Sequence, residues 1–356
     1  MSPFSTENNV TLPHDPVASG TQGTDLQGDL PTAVKPEPSV GSVVSPPPSH
    51  EPPPTLFLDR DHSILAFNER VFDWVGRKDV PLLERLRFLS IVSSNLDEFF
   101  EVRAEPHITA ASNGETKGPY TVASFEALAT KAHDLVERQY ALYNEALIPA
   151  LAKKGIHIVS HGDRTPAQRR WVHDYFVREV RPLLVPVGLD PAHPFPQVAN
   201  KSLNFIVRLK GRDAFGRENE IAIVRVPRLL PRFMRMPSSV APKSMQFVSV
   251  SSVIRAHLDD LFPGREVTQF SQFRVTRHSD LAVDEEDARN LRMVLRQGLQ
   301  QRNFGQAVRL EVSAGCSEYL SDFLLRQFDL PAAALYRVHG PVNLVRLSQL
   351  VDLVAD

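Results

Sequence analysis

The sequence predicts an α+β multidomain protein. An all-helical amino-terminal bundle is followed by a mixed α+β domain, behind a disordered Pro-rich leader. Three observations predict it. The first ~55 residues are dominated by Pro, Ser, Gly, Thr and Asp, with proline runs at 46–48 and 52–54, a composition that buries too little apolar surface to offset the entropy of ordering. From Leu56 to Lys153 apolar residues recur at helical spacing. Beyond Gly155, short branched and aromatic runs mix with helical stretches without regular βαβ alternation, which points to an α+β domain.

Each element has its own warrant. His62 to Val75 places Ile64, Phe67, Val71, Phe72 and Val75 at helical spacing, and a break containing Gly76 follows. Pro81 suits the first turn of a second helix, with Leu82, Leu83, Leu86 and Leu89 as its apolar face. A third helix is expected to begin after Ser93-Ser94, carrying Leu96, Phe99, Phe100 and Val102; Ser94 with Asp97, or Asn95 with Glu98, has capping-box spacing. The polar stretch Ser112 to Tyr120 precedes a longer helix over 122–153, with Phe125, Leu128, Ala132, Leu135 and Tyr140 on or near one face. In the second domain His157 to Val159 reads as a short strand, and Thr165 caps a helix to Val180 with Pro166 at its first position. Strands are expected at Leu203 to Leu209, Ile221 to Arg225, Phe247 to Val250 and Phe273 to Thr276. A helix over Asp284 to Arg302 opens on four acids and gathers arginines later, matching the helix dipole. A strand at Val308 to Val312, a helix at Glu318 to Gln327 and a strand at Leu335 to Val338 complete the series.

The bulk numbers bound the function. At 356 residues two or three domains are expected. A net charge of -2 implies no whole-chain attraction to nucleic acid or anionic membrane, and no apolar run reaches the ~20 residues that span a bilayer. The amino terminus lacks the basic and apolar regions of a secretory signal. Cys316 is the only cysteine, which excludes an intramolecular disulfide and fits a reducing compartment.

Searches for chemistry return little. There is no phosphate-binding G-x-x-x-x-G-K-[ST] loop, no G-x-G-x-x-G after a strand and no H-E-x-x-H. His157 and His161 are four apart, but in a strand-to-turn region where that spacing does not aim two ligands at one ion; they read as ordinary surface histidines. Cys316 sits in a Gly/Ser turn and does not read as a catalytic thiol. The run Ser93-Ser94-Asn95-Leu96-Asp97-Glu98-Phe99-Phe100 stands apart. Its plain reading is a helix cap with a buried face. Its functional reading is a nucleotide contact: a helix start offers free N–H groups, and the Asn95 amide both donates and accepts, as a base edge requires.

That run belongs to FNERVFDWVGRKDVPLLERLRFLSIVSSNLDEFFEVR, Phe67 to Arg103, which resembles the amino-terminal domain of the polyphosphate kinase family. The resemblance extends over 56–356 through LLVPVGLDPAHPFPQVANKSLNFIV, IAIVRVPRLLPRFMRMP, HLDDLFPG, FRVTRHSDLAVDEEDARNL, RNFGQAVRLEV and GPVNLVRL, in the family's order. It implies a leader at 1–55, a helical amino-terminal domain at 56–158, a head domain at 159–340, and the start of a catalytic domain at 341–356. It implies reversible transfer of the ATP γ-phosphate to polyphosphate through a phosphohistidine, with Mg2+. The family's nucleotide-contacting asparagine maps onto Asn95. The phosphate-accepting histidine and the magnesium-coordinating arginines lie in carboxy-terminal domains of the family, so no catalytic and no metal residue is expected in this chain, which is expected to be truncated and inactive alone. His339 stands where the family commonly has Asp, and His278 where an acidic residue is more usual; both read as surface variation. The implied partners are ATP and polyphosphate, and a further copy of the chain through the head domain, with no nucleic acid and no transmembrane segment. The implied location is cytoplasmic, with peripheral membrane association left open. The alternative, from a different class, is a non-enzymatic scaffold or dimerisation module serving a kinase subunit.

Overall fold

A computed structural model of the chain describes residues 59–190, 194–212, 216, 220–242, 244–279 and 305–355. The chain divides into two units, Met1–Pro53 and Pro54–Asp356. The first unit and the leader expected over 1–55 lie outside the described residues, as does the helix expected at Asp284 to Arg302.

Helix α1, Arg60–Gly76, starts at Asp59, whose carboxylate accepts from the His62 N–H at 2.7 Å. It buries Leu65, Asn68, Phe72 and Val75 against α2, Leu82–Arg103. Here the sequence expectation fails. No third helix starts after Ser93-Ser94; α2 runs through them unbroken, and neither capping box forms. Ser and Asn favour caps because they bond locally to backbone, but Leu86, Leu89, Val92, Leu96, Phe99 and Phe100 form one uninterrupted buried stripe. Tertiary burial of that stripe outweighs propensity differences of a few tenths of a kcal/mol. Helices α3, Glu105–Ser112, and α4, Val122–Leu142, follow; Thr121 and Ser124 cap α4 reciprocally. The long helix expected over 122–153 is interrupted by a π-helical turn at Tyr143–Leu147 before α5, Ile148–Lys153. Pro149 lacks the N–H that an unbroken helix would need there.

In the second half, β1 spans Ile156–Ile158 and α6 spans Pro166–Tyr175, capped by Thr165 as expected, with Gln168 closing the cap; the helix expected to reach Val180 passes into a π-helical turn at Phe176–Val180. Then come β2 Val185–Gly188, β3 Asn204–Lys210, β4 Ile221–Arg225, β5 Phe233–Arg235, β6 Met245–Ser249, α7 Val250–Arg255, β7 Glu266–Arg277 and β8 Ala307–Ser313. Helix α8, Glu318–Phe328, strand β9, Leu335–Val338, a 3-10 turn at Leu344–Leu347 and α9, Ser348–Ala355, end the described chain. Among the described residues the strands form one sheet of order β2-β4-β3-β7-β8-β9 and a smaller one of order β1-β6-β5. Pairing is antiparallel except for β1 with β6 and β8 with β9. One face of the larger sheet, at β7 and β8, receives α2, while the 344–347 turn and α9 pack on the same helix. Helix α2 therefore joins the helical and sheet regions.

Candidate functional site

Asn68 lies in the buried stripe of α1 at 2% exposure, among Leu65, Phe72 and Val75. A buried amide needs partners. Its Nδ2 donates to the Val92 carbonyl at 2.9 Å, which leaves Oδ1 to accept from Asn95 Nδ2 at 3.2 Å. The Val92 carbonyl can only accept, so this order fixes both amides. Asn95 is half-buried in the middle of α2 rather than at a helix start, so its backbone N–H is spent inside the helix. What it offers is its side chain. The carbonyl oxygen accepts no hydrogen bond among the described residues, and a second amide hydrogen remains. Ile91 and Val102 share its face of α2 by helical spacing and are 45% and 43% exposed; Phe67, beside Asn68, is 53% exposed. The arrangement is a fixed polar edge amid accessible apolar surface, which suits a flat heteroaromatic ring with a hydrogen-bonding edge.

Two residues on, Asp97 points the other way. It is 4% exposed and accepts from Arg274 Nη1 and Nη2 of β7 at 2.7 and 2.9 Å, and from Arg309 Nη1 of β8 at 3.4 Å. Glu311 accepts from Arg274 Nε at 2.5 Å, pairs also with Arg274 Nη2, and meets Arg309 Nη2 at 2.8 Å. Arg274 and Glu311 face each other across the ladder. Two cations and two anions thus neutralise one another beneath α2, and the Arg309 guanidinium also lies over the Phe100 and Tyr336 rings. Burial pulls the Arg274 pKa down, but Asp97 and Glu311 more than offset it and raise it overall. One turn further, Glu101 accepts from Asn200 Nδ2 at 2.5 Å and Lys201 Nζ at 2.6 Å. Asp97 and Glu101 hold α2 in place, while the half-buried Asn95 keeps a side-chain oxygen without a partner among the described residues. Sequence reasoning missed Asn68 as its partner, although a polar residue in an otherwise apolar helical stripe was the available signal.

The remaining candidates sit elsewhere. His157 lies in β1 and His161 in the turn after it. Other histidines approach carboxylates: His107 Nε2 lies 3.0 Å from Asp61 Oδ2, and ligand atoms of His173, His257 and Asp260 lie within 4.8 Å of one another, with His257 Nδ1 2.8 Å from Asp260 Oδ2. His257 stacks on Phe176. Two imidazoles and one carboxylate suit a softer ion than Mg2+, which takes oxygen ligands. Cys316 is buried, with its thiol pushed up by burial. His339 is exposed and its carbonyl accepts from Asn144; His278, expected at the surface, is half-buried, with Nδ1 shielded and unpartnered. A cleft of about 630 Å³ between α4 and β9 is lined by His133, Glu137, Glu145, Arg337 and His339 among others. Its Arg337 is already committed to the Cys316 carbonyl and the Ser321 hydroxyl.

The chain is similar to known proteins. Residues 57–159 match the family model of the polyphosphate kinase N-terminal domain, and 167–350 that of the polyphosphate kinase middle domain. A polyphosphate kinase of Neisseria meningitidis serogroup B is 49% identical over 307 residues, covering 85% of this chain and 45% of that protein. One from Pseudomonas putida is 47% identical over 305 residues, covering 84% and 42%. The crystal structure of polyphosphate kinase from Porphyromonas gingivalis aligns with a TM-score of 0.66 at 26% identity, covering 82% of this chain and 40% of that one. The chain spans less than half the length of these relatives.

Proposed function

The chain belongs to the polyphosphate kinase family, and from that premise we propose that it supplies the nucleotide-contacting and head portions of a kinase that reversibly moves the ATP γ-phosphate onto polyphosphate. The observation that carries the reading is the free, fixed edge of Asn95. Its oxygen can accept from the exocyclic amine of adenine, and its second amide hydrogen can meet a ring nitrogen. Asn68 holds that edge before nucleotide arrives, so little side-chain entropy remains to be lost on binding. The exposed Phe67, Ile91 and Val102 offer apolar contact for the ring.

Phosphoryl transfer itself needs a nucleophile and charge-neutralising groups around the phosphates. On the family reading these come from carboxy-terminal domains, as a phosphohistidine and a Mg2+ site, and this segment positions the base. The same reading places the kinase in the cytoplasm, with peripheral membrane contact compatible with it; no helix among the described residues is long and apolar enough to cross a membrane. It also assigns self-association to the head. Leu183, in the 3-10 turn just before the outer strand β2 of the larger sheet, and Val185, in that strand, are 37% and 55% exposed and offer it an apolar edge.

The test is kinetic. In a full-length kinase carrying this segment, Asn95→Ala should raise the apparent KM for ATP several-fold, about the weight of one polar contact, with the melting temperature retained. Asn95→Asp should also weaken ATP, since it loses the donor and adds negative charge near phosphates. Normal ATP kinetics in both variants would remove Asn95 from the site.

A further inference from the structure

A narrow crevice is lined by Lys201, Ser202, Arg228, Arg232, Arg346 and Gln349. Four of these side chains are cationic, and no acid lines it. Lys201 Nζ faces Glu101, and Arg228 Nη2 donates to the Asn200 carbonyl at 2.6 Å. The guanidinium groups of Arg232 and Arg346 make no hydrogen bond or ion pair among the described residues. Burial, then the positive charges of Arg346 and Arg274, pull Arg232 down to about 10, so it remains charged at neutral pH.

The contrast with the neighbouring lock is informative. Arg274 and Arg309 are buried with Asp97 and Glu311 as full partners. Arg232 and Arg346 are half-buried and gathered with none among the described residues, an arrangement that desolvation and like-charge repulsion both oppose. The site is nevertheless held together. The Arg232 backbone N–H donates to Gln349 Oε1 at 2.8 Å, tying its loop to α9. Lys201 adopts a left-handed φ of 56° that projects from the loop clamped by Glu101. Three separate chain segments thus converge their cations on one opening. An anion there would remove the repulsion. Guanidinium groups favour oxyanions, which they bind through paired N–H donors. The interior measures about 10 Å³, room for one water-sized atom, so a bound group would seat a single oxygen inside and lie across the mouth.

We propose that this crevice is a subsite for the phosphate chain: successive oxyanions of linear polyphosphate bridge Arg228, Arg232 and Arg346. The inference rests on the polyphosphate kinase reading above for the choice of polyphosphate over other oxyanions. It is separable from the nucleotide contact because it uses other residues.

The test titrates the 356-residue chain with sodium tripolyphosphate by calorimetry, with ATP as a parallel arm. The wild type should bind tripolyphosphate with an affinity that falls as salt rises. Arg232→Gln and Arg346→Gln should each weaken it by about fivefold or more, as expected for one lost charge contact. Without anion, Arg232→Gln should melt at or above the wild-type temperature, because it removes a half-buried charge that faces other cations; an arginine with a merely structural role would give a lower one. Asn95→Ala should leave the tripolyphosphate titration unchanged. Unchanged affinity in Arg346→Gln, or no binding by a folded wild type, overturns the subsite while leaving the Asn95 reading intact. ATP binding as tight as tripolyphosphate, and equally lost in Arg346→Gln, overturns the assignment to polyphosphate. Normal ATP kinetics in the Asn95 variants would strike the nucleotide reading and leave this titration standing.

Discussion

Asp97 of α2 receives both terminal nitrogens of Arg274 from β7 across 177 residues of sequence, at 2.7 and 2.9 Å with both side chains buried. The helix that presents Asn95 outward is thereby fastened inward to the sheet. Breaking a buried ion pair costs up to roughly 3–5 kcal/mol, and without Asp97 the buried Arg274 and Arg309 would share Glu311 alone, one positive charge in excess. Asp97→Asn should therefore lower the urea midpoint of the chain substantially. The double variant Asp97→Asn with Arg274→Met should be less destabilised than the two single effects summed. Strict additivity would show that the two residues do not act as a pair.

Asn68 separates positioning from contact. Asn68→Ala removes the acceptor that fixes the Asn95 amide and the donor to the Val92 carbonyl. It should weaken ATP in a full-length kinase and lower stability by about 1–3 kcal/mol. Asn68→Asp keeps an acceptor for Asn95 but loses the donor to the Val92 carbonyl. It should cost stability while retaining more of the ATP affinity than Asn68→Ala. Equal ATP affinity in the wild type and both variants would show that Asn95 needs no support.

His133 supplies a pH signature. Its ring stacks on Tyr336 at 3.9 Å and its Nε2 meets the Ala333 carbonyl at 2.9 Å. Burial lowers its pKa, the bond to Ala333 partly opposes that, and Arg309 lowers it further. Above the unfolded value near ~6.5 both states are neutral and pH has no effect through this group. As pH falls below that value the unfolded chain takes the proton first, so stability declines until the folded pKa is reached. His161 is lowered too, by burial and by Arg164, Arg255 and Arg169, and acts with the same sign. The comparison is therefore a difference: His133→Gln should lose less melting temperature than the wild type between about pH 6.5 and 5. Parallel curves would exclude His133 as a contributor.

What was legible in the sequence, and what was not, follows from how burial is encoded. Phe273 to Thr276 and Val308 to Val312 read as strands from their apolar residues, and both are. Period-two logic would send their alternate residues, Arg274, Arg309 and Glu311, to solvent. They are buried, because Asp97 arrives from α2 to complete the charge balance, and no local pattern announces a partner so distant in sequence. The cap-like Ser93-Ser94-Asn95 misled for a related reason: the choice between cap and helix interior was made by the core beneath. Strands β2 and β5 were missed because a four-residue run containing Pro186 and Gly188, and a three-residue one, offer too little periodicity to detect. The nucleotide role proposed for Asn95 rests on family resemblance; residue types alone favoured a cap.

Glu101 links the helix to the cationic crevice, and its removal makes a prediction of unusual sign. Its two oxygens hold Asn200 and Lys201, and its backbone carbonyl accepts from the Ser279 N–H at 3.0 Å. Glu101→Gln keeps an oxygen able to accept from Asn200 but deletes the charge that faces Lys201. Two consequences follow together. The Asn200-Lys201 loop loses a clamp, so the chain should melt at a lower temperature. The crevice loses an adjacent negative charge and gains a freed ammonium, so a polyanion should bind more tightly. A partly exposed charge pair is worth about 0.5–1 kcal/mol, which corresponds to roughly a two- to fivefold gain in tripolyphosphate affinity. Raising salt should shrink the gain, since screening weakens partly exposed charges most. A variant that is less stable yet binds the anion better separates electrostatics from unfolding, since damage to the loop alone would weaken both. Weaker tripolyphosphate binding by a folded Glu101→Gln protein would show that the clamp, rather than the charge, governs the crevice.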